Sequence, residues 1–94
     1  MCADHESSKA FKVSGRVQGV GFRWWAQHLA CSLGLKGTVR NCADGTVEIT
    51  FRGAGQAVRE MCERLEVGPP AAHVASLEEL EPPDEFPSDF RITF

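Results

Sequence analysis

The sequence feature that most constrains the fold is a change of periodicity across a glycine-rich stretch, "SGRVQGVGFR", at residues 14–23. Before it, residues 10–17 alternate apolar and polar side chains, which is typical of a strand. After it, residues 22–33 place apolar side chains three and four positions apart, which is typical of an amphipathic helix. Glycines in the connecting segment permit backbone dihedrals that other residues resist. The stretch therefore predicts a strand, a specially shaped loop and a helix.

A hairpin and a second helix follow. Residues 36–41 and 46–51 predict two strands joined by the turn "CADG", in which Asp44-Gly45 favours positive φ. Residues 56–67 predict a helix, which is stopped by the Gly-Pro-Pro sequence at 68–70.

The last third of the chain is less regular. Residues 71–80 predict a strand in which Val74 and Leu77 can share a face only if a bulge intervenes, because they are three positions apart. The segment "FRITF" predicts a short final strand. Residues 1–9 are interpreted as a flexible polar tail, and residues 10–94 as a single domain.

The element order βαββαβ, with an extra C-terminal strand, predicts an α+β fold. The expected architecture is a ferredoxin-like split βαβ sandwich, with an antiparallel sheet and two helices on one face. The first and third strands should form the central pair of this sheet, with the second strand beside them.

Composition narrows the class of protein. Ten basic and 13 acidic residues give a formal charge of −3, which argues against a general nucleic-acid binder. No stretch approaches the ~20 apolar residues of a membrane span, and residues 1–9 lack the apolar segment of a signal peptide. Cysteines at 2, 31, 42 and 62 form no CxxC pair, so zinc-site spacing is absent. We expect a cytoplasmic protein with reduced thiols, no membrane contact and no metal.

The glycine-rich loop has two readings on residue types alone. Inward-facing N–H groups of such a loop, followed by a helix N-terminus, form an anion-binding cradle. Arg23 lies in the first helical turn, where the helix dipole disfavours a cation, and a bound anion would explain it. The alternative is a flexible turn with a solvated arginine. Asn41, just before a turn, would by position alone be expected to bond local backbone.

Two segments carry a family resemblance. "GRVQGVGFR" at 15–23 and "GTVRNCADGTVEITFRG" at 37–53 resemble the two signature segments of the acylphosphatases, and "DFRITF" resembles their closing strand. The resemblance spans residues 10–94. One departure is visible, because the position after Gly37 is usually aromatic in this family and here it is Thr38.

The resemblance implies hydrolysis of acyl phosphates to carboxylate and inorganic phosphate. It implies two catalytic residues, Arg23, which clamps the phosphoryl oxygens, and Asn41, which orients the attacking water. It implies a phosphate cradle that acts mainly through main-chain N–H groups and comprises Arg16, Val17, Gln18, Gly19, Val20 and Gly21. Metals and cofactors are not implied. Inorganic phosphate is expected as product and inhibitor, and a monomer is expected.

Two rival functions are weighed against this one. The fold class also hosts RNA-recognition domains, in which strand aromatics stack on bases, but the parity of Phe11 and Phe51 predicts that both lie in the core. The chain could also be an inactive relative, or a domain of a larger protein such as a hydrogenase-maturation factor. The initial methionine and the presence of both Arg23 and Asn41 favour an active stand-alone enzyme.

Overall fold

Two central strands, β1 and β3, organise the molecule. The computed structural model describes residues 5–94, with the elements β1 (Glu6–Arg16), α1 (Phe22–Ser32), β2 (Lys36–Asn41), β3 (Val47–Ala54), α2 (Gly55–Val67), β4 (His73–Leu80) and β5 (Phe90–Thr93). They form one five-stranded sheet in the order β4-β1-β3-β2-β5. The predicted ferredoxin-like α+β architecture, with β1 and β3 at its centre, is confirmed.

The sheet is mixed, so the prediction of an antiparallel sheet was wrong in one respect. β1 pairs antiparallel with β3 and β4, and β2 pairs antiparallel with β3, but β5 lies parallel to β2. After β4, the segment 81–89 carries the chain from one edge of the sheet to the other and reverses its direction. β5 therefore arrives running the same way as β2.

The core lies between the sheet and the helices. Alternate residues of β3 are fully buried, at Val47, Ile49 and Phe51. Both helices pack their apolar stripes on this side of the sheet. The buried helix residues are Phe22, Ala26, Leu29 and Ala30 of α1 and Val58, Met61 and Leu65 of α2. The stripes expected from the 3.6-residue period are therefore confirmed.

A β-bulge in β4 interrupts its regular pairing with β1 near the end of β1. Ser14 pairs with Ser76 while Gly15 pairs with Val74, so Ala75 is the extra residue. A Cβ on Gly15 would lie 2.2 Å from the main-chain oxygen of His73, and φ at Gly15 is +124°. Only glycine fits here. The bulge lets Val74 and Leu77 both pack against the core, as their spacing predicted.

The first strand begins earlier than predicted. Residues 6–9, expected to be part of a flexible tail, continue β1 and pair with β3 from Glu6↔Ala54 to Lys9↔Phe51. These residues lack the apolar alternation of a strand, and it is their hydrogen-bonded pairing with β3 that holds them in β1. Residues 1–4 of the expected tail lie outside the described residues. β3 likewise extends to Ala54, and α2 follows it directly.

Polar pairs cover the opposite face of the sheet. Thr38, at the position that departs from the family pattern, pairs with Thr50 through hydroxyl groups 2.9 Å apart. Arg40 Nη2 lies 2.8 Å from Glu48 Oε1. Among residues 5–94, no helix is long and apolar enough to cross a membrane.

Candidate active site

The turn between β1 and α1, residues 17–21, alternates between buried anchors and exposed glycines. Val17 is 1% exposed, and Val20 packs half-buried against the core. Gly19 and Gly21 are exposed, with φ of 75° and 80°. A Cβ at either glycine would meet nothing within 4 Å, so backbone conformation rather than space requires glycine there. Two apolar anchors therefore fix the loop while its glycines face solvent.

The N-terminus of α1 opens directly from this loop. Gly21 is the N-cap residue, no side chain of the described chain caps the helix, and its first turn contains no acidic residue. The first N–H groups of a helix lack intrahelical partners and carry its positive end. This end of α1 therefore offers hydrogen-bond donors and positive potential to an anion.

Two arginines flank the loop, and neither is neutralised by a carboxylate. Arg16 ends β1 and is exposed, whereas Arg23 lies in the first turn of α1 and is half-buried. Six other cations form ion pairs in the described chain, namely Lys9, Lys12, Arg40, Arg52, Arg64 and Arg91, whereas Lys36 and Arg59, away from the loop, form none there. Positive charge at both ends of residues 17–21 is thus left available to a ligand.

Asn41 closes β2 at the same end of the sheet. β1 and β2 are both antiparallel to β3, so their carboxyl ends share one edge. Val47 pairs with Val13 on one side and with Asn41 on the other, which puts Val13 and Asn41 roughly 10 Å apart, two strand spacings. The register therefore brings Asn41 next to the segment that leaves β1.

The side chain of Asn41 contains a buried acceptor that the protein does not satisfy. Its Oδ1 atom is buried, and no group in the described chain donates a hydrogen bond to it. Leaving such an acceptor unpaired costs about 1–3 kcal/mol, which is unusual in a folded protein. Position alone predicted that Asn41 bonds local backbone, but its Oδ1 atom makes no such hydrogen bond.

Gln18 joins the loop to the β2–β3 turn. Its Nε2 donates to the main-chain oxygens of Cys42, at 2.8 Å, and Thr46, at 2.9 Å. The turn is also held by Asp44, whose Oδ1 accepts from the Thr46 N–H at 3.0 Å and hydroxyl at 2.6 Å. These two bonds from Thr46 lower the pKa of Asp44 to about 2. Asp44 is therefore a turn residue, as predicted, and stays ionised.

Comparison with known proteins identifies the family. The acylphosphatase family model matches residues 9–92. The chain belongs to the acylphosphatase family.

Individual relatives extend this result over nearly the whole chain. The acylphosphatase of Rhizobium etli is 47% identical over 92 residues, covering 97% of this chain and 98% of that protein. The structure of an acylphosphatase from Coxiella burnetii superposes with a TM-score of 0.82 at 38% identity, covering 94% of this chain and 93% of that one. The acylphosphatase of Bacillus subtilis gives 0.82 at 34% identity, covering 96% and 100%. Each of these matches therefore covers more than nine-tenths of both chains.

One neighbour of Arg23 was not found by sequence reasoning. The ring centroid of Phe94 lies 5.2 Å from the Arg23 guanidinium carbon. A cation–π contact at an exposed site is worth about 0.5–1 kcal/mol. The contact depends on the position of β5 in the sheet, so no local sequence pattern could indicate it.

Other conspicuous side chains lie outside the site. Trp24 is 65% exposed and stacks on His28 at 6.4 Å, as expected for residues on the polar side of α1. Phe11 and Phe51 are buried and stack on each other at 6.1 Å, so they are not a platform for bases. Within residues 5–94, no three His, Cys, Asp or Glu side chains are grouped as metal ligands.

Grooves elsewhere on the surface do not compete with this site. One groove of about 340 Å³ lies along the outer face of α2 and is lined mainly by charged side chains, and another of about 340 Å³ lies beside the 81–89 segment and is half lined by charged side chains. Both are open and shallow. A phosphate needs convergent donors rather than depth, and the uncapped N-terminus of α1 supplies these.

Proposed function

We propose that this acylphosphatase-family protein hydrolyses acyl phosphates to a carboxylate and inorganic phosphate. The observation that carries the proposal is a juxtaposition at one edge of the sheet. There, a glycine loop with free donors and two unpaired arginines is hydrogen-bonded through Gln18 to the turn that follows Asn41. The names of the related proteins support the same reaction class.

The phosphoryl group would bind in the 16–21 loop. Main-chain N–H groups from the loop and the first turn of α1 donate to its oxygens, with Arg16, Val17, Gln18, Gly19, Val20 and Gly21 forming the cradle. Arg23 adds a planar fork that fits two phosphoryl oxygens. Phosphoryl transfer requires mostly positioning and charge stabilisation, and both are built into this arrangement before the substrate arrives.

Asn41 would position the nucleophile. Its side-chain amide, whose Oδ1 has no hydrogen-bond donor in the described chain, orients a water molecule so that the water oxygen faces phosphorus. The new P–O bond forms as the bond between phosphorus and the acyl oxygen breaks, and the carboxylate leaves with that electron pair. The water proton passes to an oxygen of the phosphoryl group. A carboxylate is a good leaving group, so the reaction does not depend on a strong acid.

The proposed mechanism assigns the positive charge to the protein itself. Arg23 and the N-terminus of α1 provide the electrostatic stabilisation that a metal ion supplies in many phosphoryl-transfer enzymes. All proposed site residues come from one chain, which suits a monomer. The free thiols of Cys31, Cys42 and Cys62 fit a reducing, cytoplasmic compartment.

Hydrolysis of benzoyl phosphate in the presence of a metal chelator tests the function directly. We expect release of benzoate at a rate far above the uncatalysed one, with competitive inhibition by inorganic phosphate. A folded protein that binds phosphate but releases no benzoate would contradict the proposal and leave a phosphate-binding module. Loss of activity on adding chelator would contradict the metal-independent mechanism alone.

A further inference from the structure

The side chain of Gln18 spans the two halves of the candidate site. Gln18 belongs to the 17–21 loop, and its amide nitrogen reaches Cys42 O at 2.8 Å and Thr46 O at 2.9 Å across a sequence separation of 24 and 28 residues. A primary amide nitrogen carries two hydrogens. Both are therefore committed to the hairpin turn, and neither is left for a phosphate.

Hydrogen bonds within the turn hold both acceptors in place independently of Gln18. Cys42 N–H donates to Thr46 O at 2.8 Å, and Gly45 N–H donates to Cys42 O at 3.2 Å. Asp44 holds Thr46 from the other side of the turn. The turn is thus held by its own bonds, and Gln18 attaches the loop to it rather than building it.

These acceptors lie next to Asn41, on the turn side of its pair with Val47. Cys42 follows Asn41 directly in the chain. Thr46 directly precedes Val47, which is the cross-strand partner of Asn41. A bond to each carbonyl fixes the loop against both strands of the hairpin end. Movement of the loop relative to Asn41 would require breaking both bonds.

We propose that Gln18 is a positioning residue that sets the distance between the phosphate cradle and the Asn41 side chain. The inference rests on the proposed function, in which the cradle holds phosphorus and Asn41 holds the water. Gln18 does not contact the reacting atoms through its side chain. It keeps the two reactants in register, and misplacement by about 1 Å can lower a rate 100-fold.

The test uses Gln18→Leu, which removes both bonds at nearly constant volume, with Gln27→Leu as the matched control. Gln27 is also half-buried and donates to a main-chain oxygen, that of Phe90 at 3.2 Å. We expect Gln18→Leu to lower kcat for benzoyl phosphate about 10- to 100-fold. The dissociation constant of inorganic phosphate should change within about threefold. The Gln27→Leu variant should keep the wild-type kcat.

A second variant separates positioning from packing. In Gln18→Glu, an ionised carboxylate faces two carbonyl oxygens and donates nothing, whereas a protonated carboxyl donates once. We expect kcat of this variant to be low near neutral pH and to rise relative to wild type as the pH falls. A constant ratio to wild type across the pH range would overturn the proposal. Equal losses of kcat and phosphate affinity in Gln18→Leu would also overturn it.

An NMR measurement that needs no turnover distinguishes failure of the Gln18 proposal from failure of the proposed hydrolysis. Added inorganic phosphate should shift the Asn41 side-chain amide signals in NMR spectra of the wild type, and that shift should be lost in Gln18→Leu. If the wild type hydrolyses no acyl phosphate but shows this pattern, the proposed function fails and the role of Gln18 stands. If the shift persists in Gln18→Leu, the role of Gln18 fails.

Discussion

The two strand-to-helix junctions of this fold differ in what satisfies the helix N-terminus. Between β1 and α1, five residues intervene and Gly21 has a φ of 80°, whereas no described side chain caps either helix. Between β3 and α2 there is no loop. Ala54 has an extended ψ of 141°, Gly55 is buried, and its N–H donates to His5 O at 2.9 Å.

The difference shows how one scaffold produces a closed end and an open one. At α2 the protein supplies an acceptor to its own helix end, so that junction serves stability. At α1 no such acceptor is supplied, which fits the phosphate-binding role proposed for that junction. The two helices also differ in their second residue, which is the cationic Arg23 in α1 and the neutral Gln56 in α2. The predictions below test whether the open end carries the function.

The largest expected effect comes from Arg23→Gln. We expect kcat/KM for benzoyl phosphate to fall about 1,000-fold or more, and phosphate affinity to fall with it, because the guanidinium contacts the phosphoryl group throughout. The control is Arg59→Gln in α2, an exposed arginine near the closed junction, which should keep wild-type kinetics. Unchanged hydrolysis in Arg23→Gln would end its proposed role.

Asn41→Ala should separate turnover from binding. We expect kcat to fall by the equivalent of about 3 kcal/mol, while the dissociation constant of inorganic phosphate is largely kept. The free energy of unfolding should not decrease, because the buried Oδ1 makes no hydrogen bond within the described protein. Urea titration with calorimetric phosphate binding checks both. An equal loss of phosphate affinity would make Asn41 a binding residue instead.

Glycine substitutions at the two ends of α1 sharpen the comparison. Gly21 and Gly34 have φ of 80° and 74°, and a Cβ at either would meet no atom within 4 Å. Each Gly→Ala change should therefore cost about 1–2 kcal/mol of unfolding free energy from the left-handed backbone alone. Only Gly21→Ala should also weaken phosphate binding. Equal phosphate affinity in the two variants would show that the loop shape does not matter.

The smallest effect concerns the turn to which Gln18 is bonded. The pKa of Asp44 is lowered to about 2, first by its bonds to Thr46 and further by the Lys12 ammonium. A lowered pKa means that the folded state favours the ionised carboxylate, so its stabilisation is present above pH ~4 and is lost as the pH falls toward 2. Asp44→Asn should flatten the stability profile in that window, measured by urea unfolding at successive pH values. The same acid-induced loss in both proteins would contradict this assignment.

The elements around the site could be predicted because local patterns specify them. The change from a two-residue to a 3.6-residue period located the loop, and Asp44-Gly45 located the turn that follows Asn41. The bulge opposite Gly15 was visible as the three-residue spacing of Val74 and Leu77. In each case the physical cause lies within a few residues of the signal.

Features that depend on distant partners could not be predicted. Residues 6–9 look like a polar tail in the sequence, since their β3 partners lie 42 to 48 positions further along the chain (Lys9↔Phe51, 51 − 9; Glu6↔Ala54, 54 − 6) and leave no local signal. The direction of β5 follows from its neighbour β2 and not from its own sequence. The two hydrogen bonds donated by Gln18 and the unpartnered Oδ1 of Asn41 depend on side-chain placement, which periodicity does not encode.

The interleaved strand order has a consequence for how the protein folds. Apart from the β2–β3 hairpin, every pair of neighbouring strands is separated in the chain, and closing the sheet requires Glu6 to meet Ala54 and Gly37 to meet Phe90. Such non-local closures slow folding relative to helical proteins of the same size. The hairpin that presents Asn41 can form early, but the loop that faces it arrives only when β1 docks. The proposed cradle and Asn41 therefore come together only once β1 and β3 are paired.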